Sequence, residues 1–194
     1  MEKTTDESVN NAVGTIKTKP KFKRALAFSI NVLQKLALES GTQCRDNCFV
    51  LQRDGAIGSF SSLLEHHPDD EEIVKASGKC LQQVLKLLPF DQVVINMINN
   101  DIPKRCVEII EFKDTTEANK ELFLDILGRL CFRVEEFSKF YDQGVAKLAV
   151  SQLKTIIKVD WETQTEPARK ISEGYIKLCA GIASRLILNL RKHN

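Results

Sequence analysis

Three short phrases at similar spacing constrain this fold more than any single residue. Asp54-Gly55-Ala56-Ile57-Gly58, Asn100-Asp101-Ile102-Pro103 and Gln143-Gly144-Val145-Ala146 each open an apolar stretch. Aligned on the aliphatic residue, Ile57 to Ile102 spans 45 positions and Ile102 to Val145 spans 43. A recurrence in the low forties marks helical units that cannot bury their apolar faces alone and therefore stack. For 194 residues this favours one continuous array over separate domains.

Composition narrows the function classes. Hydrophobic residues make up 43% and charged residues 28%, which supports a folded chain and excludes wholesale disorder. A formal net charge of +2 is too small to hold nucleic acid or an anionic bilayer by bulk charge, so neither is the expected partner. No uninterrupted apolar run approaches the roughly 20 residues of a membrane span, so no membrane insertion is expected. The start, Met1 to Ser8, is polar and has no apolar centre of the signal-peptide kind. A cytoplasmic or nuclear location is the expectation. There is no Gly-rich phosphate loop, no His-Glu metal-binding helix and no Gly-x-Ser-x-Gly turn, so no enzyme and no cofactor are expected.

Along the chain, residues 1–19 read as a polar lead, disordered or weakly helical, with scattered Val9, Val13 and Ile16, and residues 20–194 as the repeat domain. Phe22 to Leu38 has helical spacing of apolar residues, stopped by Gly41. The next unit predicts three helices: Cys48–Arg53, then Ala56–Glu65, then a long one reaching about Leu88. Asp69-Asp70-Glu71-Glu72 supplies the cap of the last, and Pro89 its end. The same order follows in Val93–Ile98, in a helix with Pro103 in its first turn, and in a long helix opened by Asp114-Thr115-Thr116-Glu117. A further unit has Phe137, Phe140 and Tyr141 in its short helix, then Val145–Ile157, then a long helix opened by Thr165-Glu166-Pro167. Leu186, Ile187 and Leu190 either extend that helix or begin another unit, and left exposed they would invite self-association through this C-terminal apolar segment.

The six cysteines read as reduced thiols. Cys80, Cys106, Cys131 and Cys179 sit in apolar helical runs as small hydrophobes. Cys44 and Cys48 with His66 and His67 are the one conceivable zinc set, and their spacing matches no common ligand motif, so no metal is expected.

Short helix, Gly-Ala-Ile-Pro type turn, second helix, acidic cap and long third helix together resemble the armadillo repeat over residues 20–190. The best unit is Cys48 to Leu88, with Arg53-Asp54-Gly55-Ala56-Ile57 and Ser61-Ser62-Leu63-Leu64. HEAT-type repeats are the close alternative, and the three-helix order argues against them. The resemblance implies an all-α, right-handed superhelical array of about three complete repeats plus partial terminal units, acting as a scaffold or adaptor. Its third helices would line a concave groove holding an extended segment. Importin-α-like members hold basic peptides there with Trp four residues before Asn. The Asn-equivalent positions here are Lys35, Gln83, Arg129 and Leu178, preceded by Asn31, Lys79, Asp125 and Gly174. That ladder is missing, so nuclear localisation signals are not the expected cargo. One turn further back stand Ala27, Lys75, Glu121 and Lys170. Lys35, Lys75 and Lys79 make the first part of the groove basic, and β-catenin-like members use such grooves for acidic segments. The groove set is thus Asn31, Lys35, Lys75, Lys79, Gln83, Asp125 and Arg129. Solvated lysines on a helix face are the plain alternative.

Two features lie outside this scheme. Lys17, Lys19, Lys21, Lys23 and Arg24 form a basic run, read either as a localisation signal or as a solvated lead into the first helix. Trp161, in the loop Val159-Asp160-Trp161-Glu162, would be an interface anchor or a lid over a helix pair.

Overall fold

The computed structural model describes residues 2–19, 23–39, 42–88, 91–133, 141–156 and 164–192. Among these, ten α-helices and no strand are found. In chain order they are α1 (Glu2–Thr18), α2 (Lys23–Leu38), α3 (Thr42–Arg53), α4 (Ala56–His66), α5 (Glu71–Leu87), α6 (Asp91–Asn99), α7 (Ile102–Glu111), α8 (Glu117–Arg133), α9 (Ala146–Ile156) and α10 (Glu166–Lys192). The protein is all-α. It divides into two compact units, Met1–Asn100 and Asp101–Asn194, where the sequence reading has one continuous array.

Each of the three turn phrases contains a residue with left-handed backbone: Gly55 at φ 83°, Asp101 at φ 57° and Gly144 at φ 86°. No other described residue has positive φ. Glycine takes this conformation without steric cost, and Asp is among the few other residues that tolerate it. The following residues, Ala56, Ile102 and Val145, are all fully buried. The structural register therefore aligns Ala56, not Ile57, with Ile102.

From that origin the burial pattern repeats. Ala56, Ile57, Ser59, Phe60, Ser61, Leu63 and Leu64 are buried on α4. On α7 the buried set, 46 positions later, is Ile102, Pro103, Arg105, Cys106, Val107, Ile109 and Ile110. The third helices share the offset: Ser77, Cys80, Leu81, Val84 and Leu85 on α5 match Phe123, Ile126, Leu127, Leu130 and Cys131 on α8, all buried. Their starts match too. Asp70 accepts a hydrogen bond from the Ile73 amide at 3.2 Å, and Thr116 Oγ1 accepts from the Asn119 amide at 3.4 Å. Both satisfy amides left open in a first helical turn.

A side chain from the next turn phrase also reaches back to α7 and, in the N-terminal unit, to α4. Gln143 Oε1 accepts from the Lys104 amide at 3.2 Å, and its Nε2 donates to Asp101 Oδ1 at 3.3 Å. In the N-terminal unit the corresponding pair is Gly58 and Asn100, whose Oδ1 lies 2.8 Å from where a Cβ on Gly58 would stand.

Two expectations are corrected. Residues 2–18 are not a disordered lead but helix α1, which packs on α2, α3 and α4. Its buried stripe is Val9, Ala12, Val13 and Ile16, spaced i, i+3, i+4, i+7, and it matches the second-helix pattern 47 positions before Ala56, Ser59, Phe60 and Leu63. α3 starts six residues before Cys48, because Cys44, Asn47, Cys48 and Leu51 form a buried helical stripe. Asn47 Nδ2 donates to the Leu36 carbonyl at 3.1 Å, closing the end of α2. Of the two readings of the C-terminal segment holding Leu186, Ile187 and Leu190, the first holds: the segment extends α10. Phe137, Phe140 and Trp161 lie outside the described residues.

Candidate functional site: the third-helix clefts

Each compact unit opens a cleft between two of its third helices. In the N-terminal unit, α2 and α5 enclose about 510 Å³ between Ala27, Ile30, Asn31 and Gln34 on one side and Asp70, Glu72, Ile73, Lys75 and Ala76 on the other. In the C-terminal unit, α8 and α10 enclose about 540 Å³, lined by Glu121, Leu124, Asp125, Gly128 and Arg129 and by Lys170, Glu173, Gly174 and Lys177. A Cβ added at Gly174 would meet Leu124 Cδ1 at 3.2 Å, so α10 approaches α8 closely there.

Most of the sequence-predicted positions reach these clefts. Asn31 and Lys75 line the first, and Asp125 and Arg129 the second. Lys35 is exposed near the end of α2, and Lys79 and Gln83 are half-buried further along α5. Gln83 Nε2 donates to Cys44 Sγ at 3.4 Å, which turns its amide toward α3.

Leu178 is a correction. It is fully buried, and Lys177 lines the cleft in its place. The third helices are offset by 48, 46 and 48 positions, which puts Lys35, Gln83, Arg129 and Lys177 in one register. Aligning at 49 for the last step points one residue into the core. Gln34, Glu173 and Lys177 were missed, and the i, i+3, i+4 neighbours of Asn31 and Lys170 were the signal that could have found them.

The charge of the first cleft also differs from expectation. Asp70 and Glu72 stand beside Lys75, so the α5 start is mixed and the basic character lies further along, at Lys79 and Lys35. In the second cleft the charges pair along single helices. Arg129 Nε contacts Asp125 Oδ2 at 2.7 Å, Lys170 lies 3.9 Å from Glu166, and Lys177 lies 3.9 Å from Glu173. Exposed pairs like these contribute about 0–1 kcal/mol each and can exchange for a ligand's charges at small cost.

The remaining candidates are dispersed. Lys17 is exposed in the last turn of α1, with Nζ 3.6 Å from a Cβ placed on Gly55. Lys19 follows α1, Lys23 and Arg24 open α2, and Lys21 lies outside the described residues, so the basic run straddles two helices. Cys44 and Cys48 are buried on α3, while His66 at the end of α4 bonds through Nδ1 to the Ser62 carbonyl at 2.8 Å. Among the described residues no group of three or more His, Cys, Asp or Glu side chains is placed to hold a metal ion. Burial pushes the Cys48 thiol up to about 12, with the neighbouring Cys44 thiol adding to the shift, and burial also raises Cys80 and Cys106. Such thiols stay protonated and poorly nucleophilic. No described helix is long and apolar enough to cross a membrane.

The fold defines an all-α protein with recurring helix pairs and two polar clefts. Comparison with protein-family models, with curated proteins and with solved structures gives no match.

Proposed function

We propose that this chain is a non-catalytic interaction module of armadillo-like three-helix repeats, whose third-helix clefts hold an extended protein segment. One observation carries the reading. Buried positions recur at fixed offsets, while the cleft linings between them are polar and varied: Asn31, Gln34 and Lys75 in one unit, Asp125, Arg129, Lys170 and Lys177 in the other. A regularly buried interior with varied polar side chains lining each cleft is what a scaffold needs to recognise one polar guest among many. In the N-terminal unit the guest is an acidic segment lying toward Lys79 and Lys35. It runs clear of Asp70 and Glu72, which sit at the α5 start, two turns or more and about 10–13 Å of helix from Lys79.

The test is affinity capture with the wild-type chain and with a Lys35→Glu, Lys79→Glu double variant. Each reversal costs roughly 1 kcal/mol of binding, so the pair weakens capture of acidic partners by roughly thirtyfold. Both side chains are solvent-facing enough for the fold to survive, which circular dichroism checks. An unchanged set of captured proteins at unchanged strength would remove the cleft assignment. Capture of nucleic acid that collapses as salt rises would replace the reading with a different one.

A further inference from the structure

The cleft of the C-terminal unit carries its charges in tiers. On α8, Asp125 stands one turn before Arg129, with Oδ2 and Nε 2.7 Å apart. On α10, Glu173 stands one turn before Lys177, 3.9 Å away. The two helices keep a register of 48 positions, so Asp125 matches Glu173 and Arg129 matches Lys177. All four residues line the cleft. It therefore holds one carboxylate from each wall at one level, and one cation from each wall a turn further on. Four residues of helix rise about 6 Å, which sets the distance between the tiers. Nearer the helix starts, Glu121 and Lys170 add one charge of each sign and no net bias.

Two glycines lie between the tiers, Gly128 on α8 and Gly174 on α10. Packing requires the second, since its added Cβ would meet Leu124 Cδ1 at 3.2 Å. It does not require the first, where an added Cβ meets no described atom within 4 Å. Glycine in a helix interior is destabilising relative to alanine, so Gly128 weakens α8 with no internal packing reason. What its bare backbone does offer is room for a guest to lie directly against the helix.

We infer that this cleft takes an extended segment with one basic and one acidic side chain two residues apart. The basic group faces Asp125 and Glu173, and the acidic group faces Arg129 and Lys177. Charge complementarity and spacing both argue for this guest. Alternate side chains of an extended chain share a face and lie about 6.6 Å apart, close to the separation of the tiers. Adjacent side chains point to opposite faces, so neighbouring charges cannot reach both tiers. A guest of one sign would set one of its charges against a like pair. The Arg129 and Asp125 side chains are each 37% exposed, and a pair of that kind exchanges for a guest's charges at small cost. The inference rests on the proposed function for its extended guest, and adds the charge pattern that this one cleft selects.

The test follows the Gly128 and Gly174 amide chemical shifts of the whole chain during titration with blocked peptides. Thr-Lys-Thr-Glu-Thr and Thr-Glu-Thr-Lys-Thr carry the pattern in the two chain directions. The better of them should bind about tenfold more tightly than Thr-Thr-Lys-Glu-Thr, Thr-Glu-Thr-Glu-Thr or Thr-Lys-Thr-Lys-Thr. Making both tiers acidic with Arg129→Glu and Lys177→Glu should turn the preference to the doubly basic peptide. Making both basic with Asp125→Lys and Glu173→Lys should turn it to the doubly acidic one. If a charge variant fails to fold, Gly128→Leu serves beside the wild-type panel. It keeps every charge and should weaken the preferred peptide at least tenfold, with unchanged circular dichroism. A single-sign or adjacent-charge peptide binding the wild type as tightly, a ranking that ignores the charge variants, or glycine amides that respond to no peptide would each overturn the inference. Lys35 and Lys79 are untouched by these variants. If Lys35→Glu with Lys79→Glu weakens capture while this cleft shows no selectivity, only the present inference fails. If selectivity is found here while that double variant changes nothing, only the N-terminal assignment fails.

Discussion

Gly58 offers the sharpest test of the packing, because two large effects oppose each other there. It lies inside α4, where replacing glycine by alanine ordinarily gains about 1 kcal/mol of helix propensity. A Cβ at this position would stand 2.8 Å from Asn100 Oδ1, closer than real Cβ contacts come. Asn100 cannot simply swing away. Its Nδ2 donates to the Asn96 carbonyl at 2.8 Å and to Asn96 Oδ1 at 2.7 Å. Breaking two such bonds costs roughly 2 kcal/mol, so Gly58→Ala should destabilise the protein by about 1 kcal/mol net. In an Asn100→Ala background the obstruction is gone and only the propensity gain remains. The same substitution should then stabilise by up to about 1 kcal/mol, a coupling of roughly 2 kcal/mol between the two sites. Urea denaturation of the four proteins measures this, supported by melting shifts of about 2–4 °C per kcal/mol for a chain of this size. If Gly58→Ala stabilises equally in both backgrounds, Asn100 does not rest on α4 as described.

The left-handed turns make a second prediction: Gly55→Ala and Gly144→Ala each cost about 1–2 kcal/mol in urea denaturation, although the space around both is open, the nearest atoms lying at 3.6 and 3.8 Å. A third concerns pH. Burial holds the Cys48 thiol and the Tyr175 phenol up at about 12, with the Glu111 carboxylate adding to the latter shift. Because their folded values exceed the unfolded ones, their contribution to stability is fully present below about pH 9 and is lost as pH rises toward 12. The melting temperature should therefore hold from neutral pH to about 9 and fall above it. A disulfide-exchange reagent at pH 8 should label half-buried Cys179 before Cys48, Cys80 or Cys106.

Much of the fold was legible where local chemistry and burial agree. Pro103, the capping Asp70 and the glycines of two turns all act within a few residues of where they stand, while α8 is capped by Thr116, two residues beyond the Asp114 that the capping pattern points to. Longer-range effects were hidden. α1 reads as polar because its buried stripe is thin, and its order depends on contacts with α2, α3 and α4. The first half of α3 is masked by Arg45 and Asp46, which are solvent-facing, while Cys44 and Asn47 turn inward. The clefts were legible to the level of the helix face, but the last register slipped by one residue. Steps of 48, 46 and 48 cannot be read from a period set by the turns alone, since loop length changes between second and third helices.

Equivalent positions in this chain share burial far more than they share residues. The second-helix position Phe60 becomes Cys106 and then Ala149, all buried, while the third-helix position Ser77 becomes Phe123. Between the first two of these repeats the aromatic ring moves from second helix to third, and the small residue moves the other way. A close-packed core requires roughly constant volume and not constant identity, so such an exchange preserves the unit while erasing its sequence signature. The same holds for the contact closing each second helix, made by Asn100 over Gly58 in one repeat and by Gln143 on the Lys104 amide in the next. The shorter side chain approaches the helix where the residue beneath it has no Cβ. The longer one reaches a backbone amide past a lysine. Each repeat therefore solves one geometric problem with its own pair of residues, and substitutions should be tolerated in compensating pairs more readily than singly.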